Sequence, residues 1–183
     1  SLVTTKEPDP APVTTWNFVG ANFALDLPAA SEFQVTANGS PISVAQVGFR
    51  RRPIYAPLKT RDLRIGNSLF LKLSTPLANG QSVSVRNASG SLWGSTTDFG
   101  AEVDPVRFNP AIHVNQVGYL PNFSKKAMVG YYLGSLGELA IPSTTFHLLD
   151  AKSGAVRFTG TLTLRCDVGY TYSPAPYQSV YQA

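Results

Sequence analysis

Two histidines, one cysteine and eleven acidic residues are the groups in this chain that could hold a metal or move a proton. His113 and His147 stand 34 residues apart on predicted strands, and Cys166 is the single cysteine. A zinc site needs further ligands held close together, so metal binding by this set is set aside. Acid–base hydrolysis of a glycoside uses two carboxyl groups roughly 5 to 10 Å apart. The closest acidic cluster is Asp98, Glu102 and Asp104. It reads first as a polar interdomain loop. A structural calcium site is the second reading, because hard oxygen ligands gather in such loops, and catalysis is the last. No Gly-x-Ser-x-Gly elbow, P-loop or dinucleotide glycine pattern occurs. The expectation is a chain without catalytic residues, metal ligands or cofactor, structural calcium excepted.

The aromatic residues offer a different chemistry. The chain has 8 Tyr, 10 Phe and 2 Trp, and flat rings stack on the apolar faces of sugars much as they stack on one another. Trp16, Tyr55 and Trp93 are the candidate sugar-stacking residues. Trp93 falls in a polar, Gly-rich stretch, which suggests an exposed ring. The alternative packs Trp16 and Trp93 at a junction between modules. Tyr55 lies beside Arg50-Arg51-Arg52, and Arg50 and Arg52 are candidate donors to sugar hydroxyls. The alternative there is a solvated strand with an arginine over an aromatic face. Tyr170, Tyr172, Tyr177 and Tyr181, with Pro174 and Pro176 between them, form a second cluster that suits either an exposed loop or packing against a further domain.

Short strands must position these groups. Residues 1–15, with Pro8, Pro10 and Pro12, read as a Pro-rich tail or linker. From Trp16 the chain reads as strands. Phe33 and Val35 share one face, and Asn38-Gly39 is a strong hairpin signal because both residues tolerate positive φ. Leu69, Leu71 and Leu73 share a face, and Val83 and Val85 open another strand. Residues 88 to 110 lose periodicity among Gly, Ser and Pro, which places a domain boundary near residue 105. Beyond it, Ile112 and Val114 alternate, and Phe146 and Leu148 return through Asp150-Ala151-Lys152-Ser153-Gly154 to Val156 and Phe158. That is a hairpin with an Asx-turn aspartate and a glycine for positive φ. Gly134 to Ile141 permits one short helical turn. Strands spaced every 10 to 15 residues between turn signals argue for β-sandwiches.

The totals agree with an all-β reading. The 183 residues suit one or two small β domains. Charged residues are 14%, and Gly and Pro number 15 and 14, a composition of turns and short strands rather than long helices. The net charge is +4 with a pI near 9.3, but the basic residues look scattered apart from the Arg triplet, so no nucleic-acid partner is expected. No apolar run of about 18 residues exists, so no membrane partner is expected, and no signal peptide is visible. Three Asn-x-Ser sequons, at Asn38, Asn87 and Asn122, fall in predicted turns. The chain is read as bacterial, where they carry no glycan.

At Ile112-His113-Val114-Asn115-Gln116-Val117-Gly118-Tyr119-Leu120-Pro121 the sequence resembles the opening strand of the N-terminal immunoglobulin-like domain of family-9 glycoside hydrolases, the cellulases. Lys125 to Val129, Phe146 to Asp150, Gly154 with Val156, and Gly160-Thr161-Leu162 follow in the matching order. The resemblance covers about residues 112–183 and leaves the first module unrecognised. In the motif, Val114 and Gln116 are expected to face one way and Asn115 and Val117 the other. Gly118 permits a bend, and Tyr119 drops its ring inward with the hydroxyl at the edge. Family members continue into an Asp-Phe-Ser step and a final hairpin, whereas Val180-Tyr181-Gln182-Ala183 is the last segment here. The resemblance therefore implies a second module lacking its last strands, with an unpaired edge through which a dimer could form.

The expectation is thus an all-β chain of two immunoglobulin-like β-sandwich modules in tandem. A tail covers residues 1–15, a candidate carbohydrate-binding module covers 16–105, and a cellulase-type domain covers 106–183. The resemblance implies a non-catalytic accessory region of a secreted plant-polysaccharide-degrading glycoside hydrolase, extracellular or periplasmic. Its partners would be a β-glucan or cellulose-type polysaccharide and a catalytic domain of the same polypeptide. The alternative is a spacer that stabilises and orients that catalytic domain without touching sugar.

Overall fold

The computed structural model describes residues 2–5, 16–55, 64–165 and 179–183. The Pro-rich stretch 6–15, Cys166, Tyr170, Tyr172 and Tyr177 lie outside the described residues. The protein is all-β, and the described residues hold short 3-10 turns but no α-helix. The chain divides into two compact units. Unit 1 contains residues 1–107 together with Leu133–Leu136; unit 2 contains residues 108–132 and 137–183.

Unit 1 has two antiparallel sheets. Strands β1 (Leu2–Thr5), β4 (Val44–Tyr55) and β5 (Arg64–Leu73) form one, in the order β1-β5-β4. Strands β2 (Phe33–Ala37), β3 (Ser40–Ile42), β6 (Ser82–Asn87) and β7 (Asp98–Glu102) form the other, in the order β3-β2-β6-β7. Part of the predicted tail is therefore a strand: Leu2 to Thr5 pair with Asn67 to Arg64.

The Asn38-Gly39 turn forms as its chemistry requires, with φ of 48° and 79°. It returns the chain into β3 opposite β2. At Ser43 the chain leaves that sheet and enters β4, which pairs with β5 through Phe49 opposite Leu69 and Arg51 opposite Asn67.

Because side chains alternate across a strand, Phe49 and Leu69 point to the same side of the three-stranded sheet. Phe49, Phe18 and Trp16 are buried together, with Val19, Leu27, Leu69, Leu92 and Trp93 packed around them. From the second sheet, Phe33 and Phe99 lie 6.0 and 5.3 Å from the Trp93 ring. The core of unit 1 therefore sits between its sheets, in the manner of a sandwich.

β4 is an edge strand, and an unpaired strand edge invites association. Two features blunt it. Pro53 has no N–H to offer, and the segment Leu133–Leu136 lies against its middle. The Ser135 hydroxyl accepts a hydrogen bond from the Phe49 N–H at 3.0 Å. A Cβ on Gly134 would collide with the Phe49 carbonyl, and one on Gly48 would meet the Leu136 side chain. Both glycines are needed for this close approach.

Unit 2 contains a four-stranded sheet in the order β12-β13-β9-β8, built from β8 (Ile112–His113), β9 (Met128–Val129), β12 (Thr163–Leu164) and β13 (Tyr181–Gln182). A separate ribbon pairs β10 (Thr145–Leu149) with β11 (Val156–Thr161). Ala111 and Leu162 are buried here. The predicted hairpin is present, with Gly154 at φ 69°.

The motif at Asn115 is a turn rather than an extended strand. Pairing stops at His113. The Asn115 side-chain oxygen accepts from the Val117 N–H at 3.0 Å, and its carbonyl accepts from the Gly118 N–H at 3.3 Å. An asparagine that bonds to the backbone two residues on competes with strand pairing, which removes the alternation expected for Val114 to Val117. The Tyr119 ring stays exposed rather than dropping inward, and its hydroxyl ties the turn to the following chain. The hydroxyl accepts from the Asn115 N–H at 3.1 Å and donates to the Lys126 carbonyl.

Candidate functional site

Of the candidate stacking residues, Trp16 belongs to the core of unit 1. It is 8% exposed, its indole N–H donates to the Leu92 carbonyl at 2.9 Å, and its ring lies 6.2 Å from Phe18 and 6.4 Å from Trp93. Neither a ring face nor a donor is left for a ligand, so Trp16 is withdrawn as a sugar-stacking residue. Trp93 is half-buried. It is enclosed by Trp16, Phe33 and Phe99, and its N–H donates to the Thr97 carbonyl at 3.3 Å. Tyr55, at the end of β4, is 50% exposed.

The arginine triplet is split by the strand. Arg51 points to the side of Phe49 and serves the fold. Its Nε donates to Asn67 Oδ1 at 2.8 Å, and its terminal nitrogens donate to the Trp16 carbonyl at 2.9 Å and to Asn17 Oδ1 at 3.2 Å. Arg50 and Arg52 point to the other side. Arg50 lies over the Phe70 ring, 5.4 Å from its centre, a cation–π arrangement. Arg52 is exposed. The structure thus brings Arg52 and Tyr55 onto one stretch of β4, and places Trp16 and Trp93 in the core.

Two residues matter that sequence reasoning passed over. Phe99, adjacent to Trp93, is 56% exposed. Asn87, which heads a sequon, is fully buried. Its side-chain nitrogen donates to the Glu32 carbonyl at 2.9 Å, and its oxygen accepts from the Leu92 N–H at 2.8 Å. Glu32 also accepts from the hydroxyls of Ser89 and Ser91. The bond from Ser89, then the one from Asn87, hold its carboxyl below the ordinary glutamate range. This network shapes the loop that carries Trp93. The alternating parity of the Arg triplet was the available signal for Arg51; nothing in the sequence marked Asn87 as buried.

The acidic cluster does not converge. Asp98 and Glu102 lie on β7, paired with β6, so they belong to a sheet rather than to an interdomain loop. Gly100 and two flanking acids gave that strand a loop-like sequence. Asp98 pairs with Arg86 at 3.2 Å. Asp104 instead caps a turn through the Val106 N–H at 2.9 Å. Among the described residues, no three His, Cys, Asp or Glu side chains gather as a metal site would require. Nor is any helix among them long and apolar enough to cross a membrane.

The antiparallel sheets of the two units place the chain among all-β proteins. Residues 107–183 match the family model of the cellulase N-terminal Ig-like domain. The resemblance carried by Asn115 to Tyr119 thus extends through β13. No curated protein and no solved structure matches the chain.

Proposed function

We propose that the chain is a non-catalytic accessory region of a secreted bacterial glycoside hydrolase of family 9 that degrades plant polysaccharide. In this reading unit 2 supports and orients a catalytic domain of the same polypeptide. The observation that carries it is the match of residues 107–183 to a domain named for its N-terminal position in cellulases. For unit 1, the burial of Trp16 and the enclosure of Trp93 favour the spacer role over broad sugar stacking. Antibodies raised against this chain should precipitate β-glucanase activity from culture fluid, on a polypeptide much longer than 183 residues. Recovery of the antigen on a polypeptide with no glycanase activity would overturn the reading.

A second reading, binding of β-glucan by unit 1, is favoured by the exposure of Tyr55 and Phe99. Retention of the chain on insoluble cellulose or on β-glucan, xylan or xyloglucan gels, abolished by Tyr55→Ala, would support it. No retention on any of these polymers would leave the spacer role alone.

A further inference from the structure

Nearly half of the basic residues fall in one segment of the chain. Residues 44–73, the β4–β5 hairpin and its connection, contain seven of the chain's 15 basic residues and one of its 11 acidic ones, Asp62. The hairpin is therefore formally +6, while the rest of the chain is −2. Strands β1, β4 and β5 hold no carboxylate at all, against five arginines and lysines. The opposite sheet of unit 1 carries Arg86, Asp98 and Glu102. Charge in unit 1 is segregated by sheet, and a field of one sign steers oppositely charged ligands.

Not all of the cationic sheet is open. Leu136 lies on it at Gly48, Arg50 is half-buried over Phe70, and Arg51 is committed to Asn67, Asn17 and Trp16. The accessible stretch is the far end of β4, where Arg52, Ile54 and Tyr55 are exposed. There a cation, Arg52, and an aromatic ring, Tyr55, are both exposed within four residues of one strand. We propose that this end of the hairpin docks an acidic polysaccharide, a chain with repeated uronate carboxylates. In this assignment the Arg52 guanidinium takes a carboxylate and Tyr55 lies against a sugar face. A guanidinium presents a planar fork that matches a carboxylate. Tyr55 supplies the apolar surface that a bare polycation site lacks. The choice of a polysaccharide rests on the accessory role proposed above; the choice of an anionic one rests on the segregated charge.

The test measures binding of the full chain to polygalacturonate at about 20 and about 200 mM salt. The comparisons are the same polymer with its carboxylates reduced to alcohols, and single-stranded DNA of equal charge. Binding to polygalacturonate should weaken with salt. It should fall about tenfold for Arg52→Glu and further for Tyr55→Ala, with the unfolding curve of Arg52→Glu unchanged because that side chain is exposed. The reduced polymer should bind weakly. Equal binding of the reduced polymer, no effect of Arg52→Glu, or DNA binding as tight as polygalacturonate would each overturn the proposal. Retention on neutral glucans and precipitation of glucanase activity report separately on the accessory role, so the two can fail independently.

Discussion

The Arg51 guanidinium donates from Nε to the side-chain oxygen of Asn67, 2.8 Å away across the β4–β5 pair, and so orients an amide that is fully buried. The nitrogen of that amide has no hydrogen-bond partner, so the bond to Arg51 is its oxygen's link to a charged donor. Arg51→Ala is expected to cost about 1–3 kcal/mol, since a buried acceptor is left without its donor. Arg51→Lys should recover little of this, because one ammonium cannot span Asn67, Asn17 and the Trp16 carbonyl. Arg52→Ala should stay within about 0.5 kcal/mol of the parent. Urea midpoints of the three variants decide the matter, and equal losses at Arg51 and Arg52 would remove the structural role given to Arg51.

Glu32 should titrate below the ordinary value of 4.5 by carboxyl NMR. Its folded pKa is depressed, so its contribution to stability is present above the unfolded value and is lost as pH falls through the lower folded one. Ser89→Ala removes the largest cause and should move the titration upward. An unmoved titration in that variant would mean that the Ser89 hydroxyl does not hold the carboxylate.

The Asp150 carboxyl is lowered to about 2, held first by the Ser153 N–H and then by Arg157, with the Ser153 hydroxyl and the Lys152 N–H adding to them. The β10–β11 turn should therefore keep its amide shifts as the pH is lowered from 4 toward about 2. Its stabilisation disappears as pH falls through that folded value. Asp150→Asn retains an oxygen for the two backbone N–H groups but loses the ion pair with Arg157 at 3.0 Å. It should disturb the turn less than Asp150→Ala. Equal disturbance by both would place the whole effect in the ion pair.

Gly134→Ala should destabilise unit 1 by about 3 kcal/mol, because it combines a positive φ of 63° with a collision against the Phe49 carbonyl. Gly137→Ala is the internal control. Its φ is 79°, but a Cβ there meets nothing, so the cost is limited to about 1 kcal/mol of backbone strain. Thermal unfolding of the two variants should separate clearly, and comparable losses would show that the close approach at Phe49 carries no energy.

Much of the architecture was legible because local chemistry and tertiary pairing agree. Asn38-Gly39 and Asp150 to Gly154 specify their turns whatever surrounds them. β7 was illegible, because Asp98-Phe99-Gly100-Ala101-Glu102 has the composition of a loop and becomes a strand through its pairing with β6. The turn at Asn115 was hidden for the opposite reason. Its apolar alternation reads as a strand, while one side-chain bond to Val117 diverts the backbone. For the candidate site, sequence could name the aromatics but not their surroundings. Trp16 and Trp93 have the same side chain as a sugar-stacking tryptophan, and only their neighbours Phe18, Phe33 and Phe99 decide their fate. Arg50 and Arg52 were separated from Arg51 by parity alone.

The segment Leu133–Leu136 belongs to unit 1 although the chain on both sides of it belongs to unit 2. During synthesis, the middle of β4 must wait for residues 133–136 to emerge before Ser135 can accept the Phe49 N–H. A ribosome stalled anywhere between residues 107 and 133 would present that backbone bare, as a template for a neighbouring nascent chain. A gene cut at residue 107 would make the same exposure permanent. The two units are interleaved in the sequence, and any shuffling event that moves the first must carry residues 133–136 with it.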